Sequence, residues 1–257
     1  MKQRYIDTRF VRLTEEEALC ATRSAFGETD FRLNFVLDTW LKTQHFPGTL
    51  EPATTDEGSF QSYAYFQCQQ SPFTLLSAYD LWRRASYVEA SVLLRHLLEV
   101  FVQLRYFQNH PDLCMNHVTD QPKARVRFMT MFDELAPGAY DAAYRPLSVI
   151  AHGNMNIGFR GDLLASTPTG AQHTVPVFVG AQFEKGRAQL VHAFYIIVVL
   201  GFVNFYERFF PANTIASDAE LVEDLAESQK WLESVFEHKQ NNVNNPSLFD
   251  AVKPLIF

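Results

Sequence analysis

The chain is short of the features from which the commonest sites are built. It has three cysteines, Cys20, Cys68 and Cys114. Their number is odd and their spacing shows no pairs, which supports neither a disulfide framework nor a zinc site and fits a reducing, cytoplasmic setting. There is no glycine-rich phosphate loop and no Gly-x-Ser-x-Gly elbow, so a nucleotide-cradling loop and a hydrolase nucleophile of that type are not expected. No Glu-x-x-His pair occurs, and His96 with Glu99 stands in the reverse order without a second such element, so a helical di-iron site lacks its ligands. No metal and no cofactor is expected. Basic residues are not in excess either: the formal net charge is −7, which does not advertise a nucleic-acid binder. The first residues, Met1 to Asp7, show no apolar run after their basic side chains and do not read as a signal peptide. Long apolar runs are also lacking except for Leu190 to Val203, which is short for a bilayer and contains His192. A buried central helix, with His192 as a core residue and no membrane partner, is the expectation.

What the chain does have is apolar and aromatic mass. Hydrophobic residues make up 47% and phenylalanine alone numbers 23, enough for a large core in which rings fill wide gaps between helices. The acids are unevenly placed. Between Ala212 and Gln240, Asp218, Glu220, Glu223, Asp224, Glu227, Glu233 and Glu237 face only Lys230 and Lys239, so most of the negative charge belongs to one late segment.

Punctuation and periodicity divide the chain into helices. Thr14 with Glu17 resembles a capping box for a helix stopped at Gly27, and Asp30 is placed to cap a second helix through Lys42. Pro47-Gly48, Pro52, Gly58-Ser59 and Pro72 read as one long irregular connection. Helices are then expected to about Arg84, from Ala85 to Gln108 with Asn109-His110-Pro111 as the stop, and from Pro122 to Leu135. A further helical segment contains Tyr140, Tyr144 and the stretch from Arg145 to His152, with Pro146 opening or kinking it. Residues 162–166 and 174–179 flank Thr167-Pro168-Thr169-Gly170 and suggest a small β-hairpin. A long helix from about Glu184 to Phe210 follows. Ser217 and Glu220 then cap the last helix, with Leu221, Leu225, Ser228, Leu232 and Val235 on one stripe. The expected architecture is one all-α domain over residues 1–240: N-terminal helices in 1–45, a loop in 46–71, a core in 72–155, the hairpin insertion in 156–183 and C-terminal helices in 184–240. Residues 241–257 read as a linker and tail.

Two polar sets stand out from this apolar background. Ser91, Arg95, Glu99 and Gln103 follow one another at intervals of four inside an otherwise apolar helix, where Arg95 and Glu99 can pair. Two charges there are costly unless paired or set beside a cleft. Arg145 and His152 are seven positions apart, about 20° from eclipsed on a helix, two turns along one face. An imidazole can exchange protons near neutral pH, and a guanidinium can hold anionic oxygens, so one site can use both. Lys123, Arg125 and Arg127 cluster at an expected helix start, as a solvated face or as a guide for a phosphate backbone.

The helix Ala90-Ser91-Val92-Leu93-Leu94-Arg95-His96-Leu97-Leu98-Glu99, followed by Tyr144-x-x-Leu147-Ser148-x-x-x-His152, resembles a bacterial domain-of-unknown-function family related to HEPN-like helical bundles. The resemblance covers about residues 70–155. It implies a HEPN-like bundle and, in its active members, metal-independent endoribonuclease activity of a toxin or antiviral-defence effector. It also implies that Arg145 and His152 are catalytic, matching the Arg and His of the family's element at its longest spacing, while Pro146 departs from the polar residue that commonly follows the arginine. Arg95, Glu99, Ser148 and Tyr144 would support them, and Lys123, Arg125 and Arg127 would meet RNA. The expected partners are RNA, a second copy forming a homodimer whose two elements line one cleft, and a protein partner or antitoxin. The other reading of the same residues is a non-catalytic helical binding or interaction module, in which Arg95, Glu99, Ser148 and His152 form a buried hydrogen-bond network.

Overall fold

The computed structural model of the protein describes residues 8–43, 55–118, 126–151, 183–210, 218–242 and 246–257. Among them the chain forms nine α-helices and one π-turn, and no strand. They are α1 (Thr8–Thr43), α2 (Asp56–Arg83), α3 (Tyr87–Asn109), α4 (Pro111–Val118), α5 (Phe128–Leu135), a π-turn (Tyr140–Tyr144) running into α6 (Arg145–Ala151), α7 (Lys185–Phe209), α8 (Ala219–Asn242) and α9 (Pro246–Ile256). The all-α expectation is met. The expected hairpin at 156–183 lies outside the described residues apart from Phe183, which precedes α7.

Several boundaries differ from those expected, each for a local reason. The proposed capping box at Thr14 lies inside α1, and the Thr14 hydroxyl donates to the Val11 carbonyl at 2.8 Å instead of capping. The two expected N-terminal helices are present, joined end to end within α1 by a bend at Phe26, next to the expected stop at Gly27; the Phe26 φ of −130° and ψ of 16° are not helical. That bend sets the Phe26 ring 5.2 Å from Trp82 and 5.4 Å from His192. The long connection expected through residue 71 is, from Asp56 onward, helix α2. Its N-terminus is held by Thr55, whose hydroxyl oxygen accepts from the Gly58 N–H at 2.9 Å, and by Asp56 and Glu57 in the first turn. Pro72 sits inside this helix without ending it. It removes one backbone bond, but it is buried between Cys68 and Leu75, and that packing outweighs the punctuation. α5 begins at Phe128, with Arg127 in extended conformation before it, so the helix expected from Pro122 does not include Arg127. Asp218 lies just ahead of α8 and its carboxylate accepts from the Leu221 N–H at 3.0 Å, while Ser217, the expected cap, lies outside the described residues. The expected tail contains α9: Leu248, Phe249, Val252, Leu255 and Ile256 recur at helical spacing and are all buried.

The core forms where α3 crosses α7. α3 packs against α2, α4, α5, α6 and α7, while α7 packs against α1, α2, α3, α8 and α9. Of the described helices, α7 alone is long and apolar enough to cross a membrane, yet nearly all of that stretch is buried inside the bundle. Its polar members are fitted into the packing. His192 is buried and stacks on Trp82, with ring centres 5.2 Å apart, and Trp82 Nε1 donates to the Ala188 carbonyl at 3.0 Å. Asn204 Oδ1 accepts from Gln229 of α8 at 2.9 Å. Part of the acidic surface of α8 is matched by α1, through Arg32 to Glu227 at 2.7 Å and Lys42 to Asp224 at 3.0 Å.

At Gly201 of α7 the Phe101 ring of α3 lies against the backbone. A Cβ placed there lies 2.8 Å from the Phe101 ring of α3, too near for any side chain without displacement. Gly201→Ala is therefore expected to lower stability by about 1–3 kcal/mol through overpacking. Equilibrium denaturation checks this, and pairing the change with Phe101→Leu should recover part of the loss.

Candidate functional site

The polar line on α3 serves three separate ends. Near its start the buried Ser91 hydroxyl turns back to the Tyr87 carbonyl at 2.7 Å. Near its end Gln103 Oε1 accepts from the Tyr63 hydroxyl of α2 at 2.9 Å. In the middle, Arg95 and Glu99 meet Tyr144 of the π-turn. Arg95 Nε lies 3.0 Å from Glu99 Oε1 and 3.0 Å from the Tyr144 hydroxyl, and Tyr144 donates in a short bond to the same Glu99 oxygen. The three groups close on one another, with the guanidinium carbon 5.3 Å from the centre of the Tyr144 ring.

The backbone around Tyr144 explains how it reaches α3. Residues 140–144 are wound as a π-turn, and the Arg145 N–H bonds to the Tyr140 carbonyl, five residues back. The wider turn rotates the segment relative to a straight α-helix and runs into α6, whose first turn holds Pro146, the position expected to open or kink the helix. Aromatic neighbours fix the ring, with Phe128 centred 4.7 Å away and Tyr140 5.0 Å away.

These contacts set the charges. Burial first, and then the bond to Glu99, push the Tyr144 phenol up to about 12, so it is neutral at physiological pH and does not act there as a base. For Arg95, burial favours loss of the proton, but the hydroxyl of Tyr144 and the carboxylate of Glu99 outweigh it and its pKa is raised. The result is a fixed ionic clasp, a means of holding the π-turn on α3. Among the described residues no group of three or more His, Cys, Asp or Glu comes together to hold a metal. Surface hollows along the start of α1, beside Arg9, Arg12 and Glu16, and between α8 and α9, beside Phe236 and Lys253, are lined by residues other than these.

Of the remaining expected site residues, Arg145, Ser148 and Arg127 are among those described. Arg145, next in sequence to Tyr144, points the other way: its side chain is 69% exposed and, among the described residues, meets only Asp141, at 3.4 Å. Ser148 is half-buried on α6, one helical turn further on. Arg127 is exposed ahead of α5. His152, Lys123 and Arg125 lie outside the described residues. The structure thus brings together Arg95, Glu99 and Tyr144, and places Arg145 on the outer side of the same segment.

A second cluster of the same composition has no counterpart in the sequence reading. Asp30 of α1 accepts from the Tyr79 hydroxyl in a short bond and pairs with Arg83 Nε at 3.2 Å, both on α2, and the Arg83 guanidinium lies 5.2 Å from the Tyr79 ring. Asn34 adds a bond to the Tyr79 hydroxyl at 3.0 Å. Burial and the Asp30 bond raise the Tyr79 pKa far out of the physiological range. The signal available in sequence was Tyr79 four residues before Arg83; the partner, Asp30, was hidden by its resemblance to a helix cap.

Comparison of the chain with protein-family models, with curated proteins and with solved structures returned no match.

Two outcomes are expected from substitution at the cluster. Glu99→Ala should cost roughly 2 kcal/mol, because it strips both Arg95 and Tyr144 of a charge-assisted partner, whereas Arg145→Ala should leave stability within about 0.5 kcal/mol. Urea denaturation of the two variants separates fold from function at this segment. The second outcome depends on pH. The folded phenol of Tyr144 titrates above its unfolded value, so its contribution is complete below about pH 10 and disappears as the pH rises toward about 12. The stability difference between wild type and Tyr144→Phe should shrink over that window; a difference independent of pH would show that the phenol is not held neutral by the clasp.

Proposed function

We propose that the chain is a HEPN-like, metal-independent endoribonuclease, acting in the cytoplasm as a toxin or antiviral-defence effector, with Arg145 and His152 as its reacting pair. The observation that supports this reading is the position of Arg145. It stands exposed at the head of α6, immediately after the residue that the Arg95–Glu99 clasp ties to the core. A guanidinium on an anchored turn, open to solvent, is suited to hold the non-bridging oxygens of a phosphodiester while charge builds on them. His152 takes the proton of the ribose 2′-hydroxyl as that oxygen bonds to phosphorus, and the bond from phosphorus to the 5′-oxygen breaks as that oxygen takes a proton from solvent water. The products are a 2′,3′-cyclic phosphate and a 5′-hydroxyl. Arg95, Glu99 and Tyr144 are positioning residues, Ser148 supports the same helix, and Lys123, Arg125 and Arg127 steer the RNA backbone.

A second reading, a non-catalytic helical interaction module, is favoured by a different observation. The Asp30, Tyr79 and Arg83 cluster reproduces the arrangement of Glu99, Tyr144 and Arg95 at a place where it joins α1 to α2. On this reading both clusters hold helices together and do nothing else.

Purified protein incubated with mixed RNA in excess chelator distinguishes the two. Cleavage leaving 2′,3′-cyclic phosphate ends is expected, falling about 100-fold or more in Arg145→Ala and His152→Ala. Absence of cutting by the wild type across pH and RNA types would leave the interaction module as the reading that stands.

A further inference from the structure

A charged side chain at the margin of an apolar core is costly without an opposite charge beside it. The half-buried arginines among the described residues meet that need, with one exception. Arg32 contacts Glu227 at 2.7 Å, Arg83 contacts Asp30 at 3.2 Å and Arg95 contacts Glu99 at 3.0 Å. Arg105 of α3 contacts no carboxylate of the described residues. Its Nε is enclosed without an acceptor among them, and its Nη1 reaches only the neutral Gln108 Oε1, at 3.4 Å.

The charged group that acts on Arg105 is another cation. α3 and α7 run parallel: the Tyr87 hydroxyl accepts from the Glu184 N–H, just ahead of α7, at 3.4 Å, and further along Phe101 lies on Gly201. Arg105, one turn beyond Phe101, and Arg208, two turns beyond Gly201, therefore stand at the same end of the bundle. Burial first, and the like charge of Arg208 second, lower the Arg105 pKa from its ordinary value, and no described carboxylate raises it. A guanidinium still keeps its proton at physiological pH, so two positive charges are held near one another. The C-terminal ends of α3 and α7 supply about half a negative charge each, which offsets only part of them. Arg208 is exposed and gives Nη1 to the main-chain oxygen of Phe257 at 2.7 Å. An arginine has five N–H donors, and that bond uses one.

We propose that Arg105 and Arg208 form a binding site for a terminal phosphate group, either the free ion or the end of a larger molecule. With Nε closed off, the Nη end of Arg105 is the part left to meet a ligand. A phosphate monoester offers three terminal oxygens, enough to engage one guanidinium as a fork and a second alongside it. A carboxylate offers two, and so does a phosphodiester inside a nucleic-acid strand, which is also linked on both sides. The monoester carries about −1.5 to −2 charge at pH 7, which suits two cations. A charged oxygen displaces the distant Gln108 oxygen as the acceptor for Arg105. The site lies about 15 Å along α3 from Arg95, and it depends on neither reading of the Arg145 segment.

Calorimetric titration of the full chain with inorganic phosphate and with ribose 5-phosphate, in low-salt buffer without other multivalent anions, tests the proposal. A dissociation constant of about 1 mM or below is expected for at least one probe. Arg105→Gln should weaken it at least tenfold and Arg208→Gln about fivefold, while Arg84→Gln, at an exposed arginine on another helix, leaves it unchanged. Arg208 is exposed, so its replacement carries little risk to the core. Tighter binding of inorganic phosphate marks the free ion as the ligand; tighter binding of the sugar ester marks the end of a larger molecule. Thermal denaturation gives a second readout. Phosphate should raise the Tm of the wild type and not that of Arg105→Met, and without phosphate Arg105→Met should be at least as stable as the wild type, because an unmatched charge is gone. Absence of binding by both probes at about 20 mM overturns the proposal. So does binding that survives Arg105→Gln, as phosphate held by Arg145 would. An Arg105→Met protein that is destabilised without phosphate also overturns it, since the guanidinium would then be satisfied within the chain. RNA cleavage is read in neither measurement, so failure here and failure of the ribonuclease reading remain distinguishable.

Discussion

Helix α7 can be kept from water only by surrounding it, and that requirement shapes the bundle. Ala193 through Phe202 runs without a charged side chain, and every residue in it is buried. Each large apolar side chain removed from water contributes on the order of 1.5–3 kcal/mol, so no other helix offers so concentrated a gain. To realise it, five helices must reach α7. α3 comes close enough for a phenylalanine ring to lie on a glycine, α2 contributes Trp82, and α8 and α9 close the remaining sides. The bend at Phe26 belongs to the same requirement, because it brings α1 to where its ring meets Trp82 and His192.

Once the core is so apolar, polar groups that enter its margins have to satisfy one another. The chain does this twice with the same three residue types: an arginine, a carboxylate that accepts from it, and a tyrosine that donates to the carboxylate beneath the guanidinium. In both cases arginine and tyrosine are near neighbours in space, but only one of the clusters has them on a single helix. The recurrence shows that a charged cluster beside a core is a structural solution available to this chain irrespective of chemistry. What distinguishes the Arg95 cluster is its neighbour, since an exposed arginine follows directly from its tyrosine.

The parts of the fold that were legible in sequence are those governed by period. The burial of α7, the stripe of α8 from Leu221 to Leu232, and the pairing of Arg95 with Glu99 all follow from spacing on a helix. Punctuation was the misleading element. Gly58-Ser59 and Pro72 look like loop signals, yet packing of Cys68, Leu75 and Trp82 carries α2 through them; Asp30 looks like a cap, yet a tyrosine from another helix takes its carboxylate. Those outcomes depend on contacts between residues tens of positions apart, which local chemistry does not encode. The candidate site was legible in its membership more than in its layout: Tyr144 joins Arg95 and Glu99, while Arg145 does not. Nothing in the spacing of Tyr140, Tyr144 and Pro146 announced the π-turn.

That turn has a consequence of its own. A π-turn is an α-helix holding one residue more than its hydrogen bonds need, so consecutive positions can be assigned to opposite surroundings without breaking the helix. Tyr144 is committed to cohesion and Arg145 is turned to solvent, although only one peptide bond separates them. A change in the outer residue leaves the inner one undisturbed, and the surface of α6 can therefore vary in sequence at little risk to the bundle that supports it.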